Sequence, residues 1–350
     1  MIKKELKKTR LFSELRLDLV SGDWVIVASN RFQKPNDFKK PKSVSLKMSS
    51  KNCPFCNLET QKEPTLVMAN GKIISNSKKL PVDWTTVIVP NIYPAVSFNF
   101  KPREKTEKTE GEIYKKMPAV GFHEVLITKE HRKQLADLSL GRIKEVISAW
   151  QIRYLSLKDK KFVNHISIFQ NYGPESGASI AHPHSQIITT YLIDVDLKNA
   201  LNNAKKYYNK KKKCLYCQMM NYDLKKKKRI VFENNNFVAL CPFASKKSFQ
   251  IIISPKKHLS YFENITEKEK EDLAESFKII LNKIKKGLNN PSYNFYLHTA
   301  PCDGKKHNYY HWHFTILPKS RSWAGFEMGT HLEIITVKPE EAAQRLRKIK

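Results

Sequence analysis

Cysteine and histidine fall on this chain in the same order twice. The first set is Cys53-Pro54-Phe55-Cys56, then His131, then His182-Pro183-His184. The second is Cys214-Leu215-Tyr216-Cys217, then His258, then His311-Trp312-His313. His182 follows His131 by 51 residues and His311 follows His258 by 53. Each set offers two thiolates and at least two imidazoles, the donor inventory of a tetrahedral zinc site. A lone CxxC is often a turn with two buried thiols, and a lone His131 could cap a helix. Matched spacing in two copies favours metal binding over both readings.

The elements that must position these residues repeat as well. Glu124-Val125-Leu126-Ile127 and Gln250-Ile251-Ile252-Ile253 read as strands just before the middle histidines. Ile143, Val146, Ile147 and Trp150 recur at helical spacing, which predicts a helix over residues 140–157. Leu273, Phe277, Ile280, Leu281 and Ile284 predict its counterpart over residues 266–288. A strand then follows in each copy, near residues 163–169 and 293–298, and each HxH pair opens another strand. The expected fold is α+β, a tandem duplication of one module in which an antiparallel sheet carries a helix and is stapled by zinc. The first half is expected over residues 1–195 and the second over 196–350, with 41% hydrophobic residues supplying two modest cores. The polar, lysine-rich stretch from Asp194 to Lys213 marks the boundary and could itself be a helix followed by a loop.

Lysine and arginine number 63 against 33 acidic residues, a net charge of +30. The lysines come in short scattered runs without interleaved stacking aromatics, so they read as a solvated surface rather than a specific nucleic-acid interface. Such a field would also steer small polyanionic substrates. Four of six cysteines sit in the CxxC pairs, a pattern of intracellular metal binding rather than a disulfide framework. Cys241 and Cys302 read as core or loop residues. The charged opening residues lead into no apolar leader, and a cytoplasmic protein is expected.

The segment richest in chemistry runs Asn171-Tyr172-Gly173-Pro174-Glu175-Ser176-Gly177-Ala178-Ser179-Ile180-Ala181-His182-Pro183-His184-Ser185-Gln186. A Gly/Ser loop feeds a strand with two histidines on one face. One histidine can be fixed by a metal while the other meets substrate. Backbone N–H groups of the loop and the amides of Asn171 and Gln186 are donors for phosphate oxygens. This is the composition of a phosphate-handling site with an imidazole nucleophile.

These motifs resemble the galactose-1-phosphate uridylyltransferase family, a branch of the histidine-triad nucleotide hydrolases and transferases. Residues 16–27 look like that family's opening strand pair, and Asn30-Arg31-Phe32-Gln33-Lys34-Pro35 like its substrate-binding Arg/Pro segment. Val89-Pro90-Asn91-Ile92-Tyr93-Pro94-Ala95 looks like its nucleoside-side motif, and Trp323-Ala324-Gly325-Phe326-Glu327-Met328 like its sugar-side motif. The resemblance spans residues 12–347.

The resemblance implies a double displacement through a nucleotidyl-His184 intermediate. Gln186 assists, and Arg31, Lys34, Asn91, Asn171, Gly177, Ala178, Ser179, Phe326 and Glu327 contact substrate. The alternative reading of Phe326 and Glu327 is as ordinary strand residues. It implies one structural zinc on Cys53, Cys56, His131 and His182. For the second copy it leaves two versions, Cys214, Cys217, His258 and His311, or a histidine set of His298, His311 and His313; the retained CxxC favours the first. The implied activity is transfer between UDP-glucose and galactose 1-phosphate, with a nucleotide-sugar phosphorylase such as one using ADP-glucose as the alternative. Outside that chemistry stands a zinc-stapled basic nucleic-acid-binding protein. Family members are commonly dimers, so a homodimer is a possible assembly. His123 and His165 lie outside the duplicated pattern and read as plain strand histidines.

Overall fold

A computed structural model describes residues 13–28, 49–74, 80–98, 108–110, 113–319 and 324–350. The first half forms β1 (Glu14–Leu17), β2 (Trp24–Val27), β3 (Leu66–Ala69), β4 (Lys72–Ile73), β5 (Thr86–Pro90), β6 (Lys108–Glu110), β7 (Tyr114–Lys116), β8 (His123–Thr128), α1 (Leu140–Leu157), β9 (His165–Tyr172) and β10 (His184–Thr190). Helices α2 (Val195–Lys211) and α3 (Leu215–Lys226) lead into the second half. That half forms β11 (Ile230–Glu233), β12 (Phe237–Leu240), β13 (Ile251–Pro255), α4 (Glu267–Gly287), β14 (Tyr293–His298), β15 (His313–Pro318), α5 (Gly325–Thr330), β16 (Glu333–Ile335) and α6 (Pro339–Lys348).

The helices start where their caps require. The Ser139 side chain accepts the Arg142 N–H at the start of α1, and Thr266 with Glu269 forms a reciprocal capping box on α4. Asp194 caps α2 in the same way by accepting the Leu197 N–H, so the expected boundary stretch is mostly helix.

Among the described residues, eleven strands form one sheet in the order β11-β12-β13-β15-β14-β9-β10-β8-β5-β3-β4. Outward from the central pair, β9-β10-β8-β5-β3 mirrors β14-β15-β13-β12-β11. The α+β duplication expected from the sequence is therefore a continuous antiparallel sheet joined at β9 and β14. Their register sets Tyr293 across from Tyr172, Asn294 from Asn171, Phe295 from Gln170 and Tyr296 from Phe169.

Helices α1 and α4 cover one face. Trp150 from α1 packs near Phe277, Phe295 and Phe314, with ring centroids 5.7–6.1 Å away, and donates its indole N–H to Ser185 Oγ at 2.8 Å. The largest apolar cluster takes residues from both halves, so the two expected cores are largely one. Strand alternation puts His184, Gln186, Asn171, Asn294, His298 and His313 on the opposite face.

A smaller sheet, β1-β2-β16, ties the two chain ends together. Glu340 on α6 pairs there with Arg16 of β1 at 3.1 Å and with Arg229 at 2.9 Å.

Candidate active site and metal centres

Two Cys/His groups converge. The ligand atoms of Cys53, Cys56, His131 and His182 lie within 4.8 Å of one another, and so do those of Cys214, Cys217, His258 and His311. In the first group His182 Nδ1 stands 3.7 Å from Cys53 Sγ and 3.6 Å from Cys56 Sγ. His131 Nδ1 stands 3.2 Å from Cys56 Sγ and 3.4 Å from His182 Nδ1. Zinc held at about 2.3 Å from sulfur and about 2.0 Å from nitrogen sets ligand–ligand edges of roughly 3.3–3.8 Å. The donors therefore fit that ion. In the second group Cys217 Sγ lies 3.4 Å from Nδ1 of both His258 and His311.

The imidazoles are aimed by their other nitrogens. His182 Nε2–H donates to the Thr128 carbonyl at 2.7 Å, and His311 Nε2–H to the Pro255 carbonyl at 2.9 Å. Each carbonyl lies three residues before the middle histidine of its copy, so one backbone relation serves both sites. This outer contact leaves Nδ1 free for a cation. Burial lowers the His182 pKa to about 4, which keeps the ring in the neutral form that binds metal. Burial, and then the neighbouring Cys53, push the Cys56 thiol up to about 11, so a cation is what would hold both sulfurs as thiolates. The second pair differs in setting. Cys214 stands at the N-cap position of α3 and Cys217 in its first turn; contact with Cys217 lowers the Cys214 pKa, while Cys214 and burial raise that of Cys217.

His184 opens β10. Its Nδ1–H donates to the His182 carbonyl at 2.9 Å, which fixes the tautomer and leaves a lone pair on Nε2. The residue is 8% exposed, and burial lowers its pKa, so the ring is neutral. Phe55 packs edge-on against it, with centroids 4.9 Å apart. Gln186, two residues on, shares the face; its Oε1 accepts from His123 Nε2 at 2.8 Å. His123 Nδ1 in turn accepts the Ala95 N–H at 3.0 Å. Asn91 lies beside the same ring, with Nδ2 3.1 Å from His123 Nε2.

Asn171 lies one residue before the end of β9, and its Oδ1 accepts from Asn294 Nδ2 at 2.7 Å. The loop between Asn171 and His182 turns at Gly173 and Gly177, whose φ values are +82° and +87°. A Cβ on Gly173 would lie 2.3 Å from Ser292 Oγ and 3.2 Å from Ser292 Cα, so glycine lets the second half approach the loop closely. Gly177 and Ser179 are exposed and Ala178 is half-buried, within reach of a ligand.

The second HxH pair repeats part of this design. His313 Nδ1–H donates to the His311 carbonyl at 3.2 Å, and Tyr216 lies beside His313 with centroids 5.7 Å apart, tilted where Phe55 is edge-on to His184. His298 stacks on His313 with centroids 4.7 Å apart. Thr315 holds the place of Gln186.

Some expectations fall elsewhere. Arg31 and Lys34 lie outside the described residues. Phe326 and Glu327 are on α5, a short helix rather than a strand, where the Glu327 carboxylate accepts the Ala324 N–H at 3.2 Å. Spacing alone missed His123 and Asn294. The available signal was period two: both lie on the open face, but only the strand register shows what they meet.

A family model described as galactose-1-phosphate uridyl transferase, N-terminal domain, matches residues 3–193, and the C-terminal domain of the same family matches residues 200–350. The chain belongs to this family. It is 32% identical over 342 residues to an ADP-glucose phosphorylase from Arabidopsis thaliana, covering 96% of this chain and 93% of the relative. It is 28% identical over 343 residues to a galactose-1-phosphate uridylyltransferase from Thermotoga maritima, covering 95% and 98%. A crystal structure of an Arabidopsis thaliana ADP-glucose phosphorylase with bound ADP-glucose superposes with a TM-score of 0.81 at 29% identity, covering 97% of this chain and all of that one. A uridylyltransferase structure superposes with a TM-score of 0.72 at 28% identity, covering 96% and 97%. Among the described residues, no helix is long and apolar enough to cross a membrane.

Proposed function

We propose that the chain transfers a nucleotidyl group between phosphates through a covalent bond to His184, acting as a hexose-1-phosphate uridylyltransferase on UDP-glucose and galactose 1-phosphate. The observation that carries the mechanism is the His184 Nδ1 contact with the His182 carbonyl. It turns the Nε2 lone pair outward. That pair attacks the α-phosphorus and a P–N bond forms. The bond from phosphorus to the bridging oxygen breaks, and the sugar 1-phosphate leaves with the electrons. The proton stays on Nδ1, hydrogen-bonded to the His182 carbonyl, and that contact stabilises the positive charge of the imidazolium. A second sugar 1-phosphate then attacks phosphorus and returns the electron pair to Nε2. The attacking oxygen is already anionic, so no general base is needed. Gln186, Asn171 and the loop N–H groups stabilise charge on the phosphoryl oxygens.

The two Cys/His groups would hold zinc as structural ions, since protein atoms fill all four positions in each. Their chemistry is folding and alignment, and no step passes through them. Arg31 and Lys34 would add positive charge toward the phosphates. The setting would be the cytoplasm, as a monomer or homodimer, with residues 1–195 carrying the nucleophile.

A second reading within the same mechanism is an ADP-glucose phosphorylase, in which inorganic phosphate is the acceptor. The 32% identity to the Arabidopsis thaliana enzyme favours it. Incubation with UDP-glucose or ADP-glucose separately, followed by peptide mass analysis, tests both. A UMP adduct on His184 that galactose 1-phosphate removes supports the first reading, and an AMP adduct that phosphate removes supports the second. No adduct with either donor overturns both.

A further inference from the structure

We propose that His123 and Asn294 are positioning residues that lock the side-chain amides of Gln186 and Asn171 with their NH2 groups turned toward the phosphoryl anion. The inference rests on the nucleotidyl-transfer reading above.

A side-chain amide has two faces of opposite sign. Turned one way it donates to a phosphoryl oxygen; turned the other it repels it. At this site each amide is held through a relay that begins at a backbone group of fixed polarity.

The first relay starts at Ala95. A backbone N–H can only donate, so His123 Nδ1 accepts, 3.0 Å away. The proton of the neutral ring is then on Nε2, which donates to Gln186 Oε1 at 2.8 Å. Asn91 Nδ2 is farther from that nitrogen, at 3.1 Å, and finds no lone pair there once Ala95 holds Nδ1. With its oxygen engaged, Gln186 turns its nitrogen outward, on the face it shares with His184.

The second relay starts at Ser176. A backbone carbonyl can only accept, so the atom of Asn294 that meets it at 2.9 Å is the amide nitrogen. The other proton of that nitrogen goes to Asn171 Oδ1 at 2.7 Å. Asn171 Nδ2 is left toward the Gly177 turn, 4.0 Å from where a Cβ on Gly177 would stand. Asn294 belongs to the second repeat, across the β9–β14 junction. The first repeat therefore does not complete its own anion site.

Donors fixed before the reaction stabilise developing charge without reorganising during it. Two double-mutant cycles test the assignment, His123→Phe with Gln186→Ala and Asn294→Leu with Asn171→Ala. The readout is the single-turnover rate of adduct formation on His184, with UDP-glucose and with ADP-glucose. Each single variant should lose roughly 10- to 100-fold, the worth of an oriented hydrogen bond to a charged group. Each double variant should be no slower than its slower single, because the positioning residue acts only through its amide. His123→Ala and Asn294→Ser serve if the first choices do not fold. If the wild type labels but the losses multiply, or the positioning variants match the wild type, this inference is overturned and the function stands. If the wild type labels with neither donor, the function is overturned and this inference with it.

Discussion

Phe55, the residue just before Cys56, presses the edge of its ring against His184 at a centroid distance of 4.9 Å. The loop that carries one end of the first Cys/His group thus also walls the ring of His184, the proposed nucleophile. We predict that Cys53→Ser removes one metal equivalent per chain, lowers the melting temperature by on the order of 10 °C, and slows adduct formation at His184 even below that temperature. Metal analysis and scanning calorimetry check the first two effects. Unchanged metal content would show that Cys53 is no ligand.

Phe55→Ala separates these roles. It keeps both sulfurs and should keep both metals, while the His184 ring loses its packing partner. The expected outcome is a slower single-turnover rate at normal metal content, with a stability loss of about 3–5 kcal/mol for a buried phenylalanine. A rate equal to the wild type's would mean that the His182 carbonyl alone sets the imidazole.

His184→Ala should abolish the covalent adduct and leave both metal groups filled, because His184 is not among the clustered ligands. Turnover should fall by at least about a thousandfold, as expected for loss of a nucleophile. More than a few per cent of wild-type turnover would place the covalent bond elsewhere.

The second pair lacks the amide. Thr315 stands where Gln186 does in the first copy, and the preceding loop runs Asp303-Gly304-Lys305-Lys306-His307 in place of Gly177-Ala178-Ser179. We predict rapid-quench labelling that saturates near one nucleotide per chain, with His313→Asn retaining the adduct. A stoichiometry near two, or a labelled peptide containing His313, would show that both copies react.

Glu340 carries a pH dependence of stability. Burial alone would raise its pKa, but backbone N–H contact, Arg229 and Arg16 outweigh that and hold it below the usual value. A depressed pKa stabilises the fold above the unfolded carboxylate pKa of about 4.3 and loses that contribution as pH falls through the folded value. Glu340→Gln should therefore lower unfolding free energy by about 1–3 kcal/mol at pH 7, a gap that closes as the pH drops below about 4. Urea titrations across that range check it; a pH-independent gap would point to packing instead.

The helix over residues 140–157 was legible because Ser139 caps it and its apolar residues keep one period. The Cys/His groups were legible because metal donors are few and their spacing repeats. His123 and Asn294 were not. Their partners are set by cross-strand register, and a strand sequence records which face a residue takes without naming what lies across it. Phe326 and Glu327 fall on a six-residue helix too short to display a period.

The β9–β14 junction is a centre of near symmetry. A sheet that runs the same way outward from one antiparallel pair is what two identical chains build when they meet edge to edge about a twofold axis. Here one polypeptide supplies both partners. The first copy carries His184, and the second reaches across to Asn171 with Asn294. Cut apart near residue 195, each piece would bare a long central strand as a raw edge, an invitation to pair with any neighbour. The line along which the two copies meet is interior to the sheet, and the protein cannot be halved without exposing it.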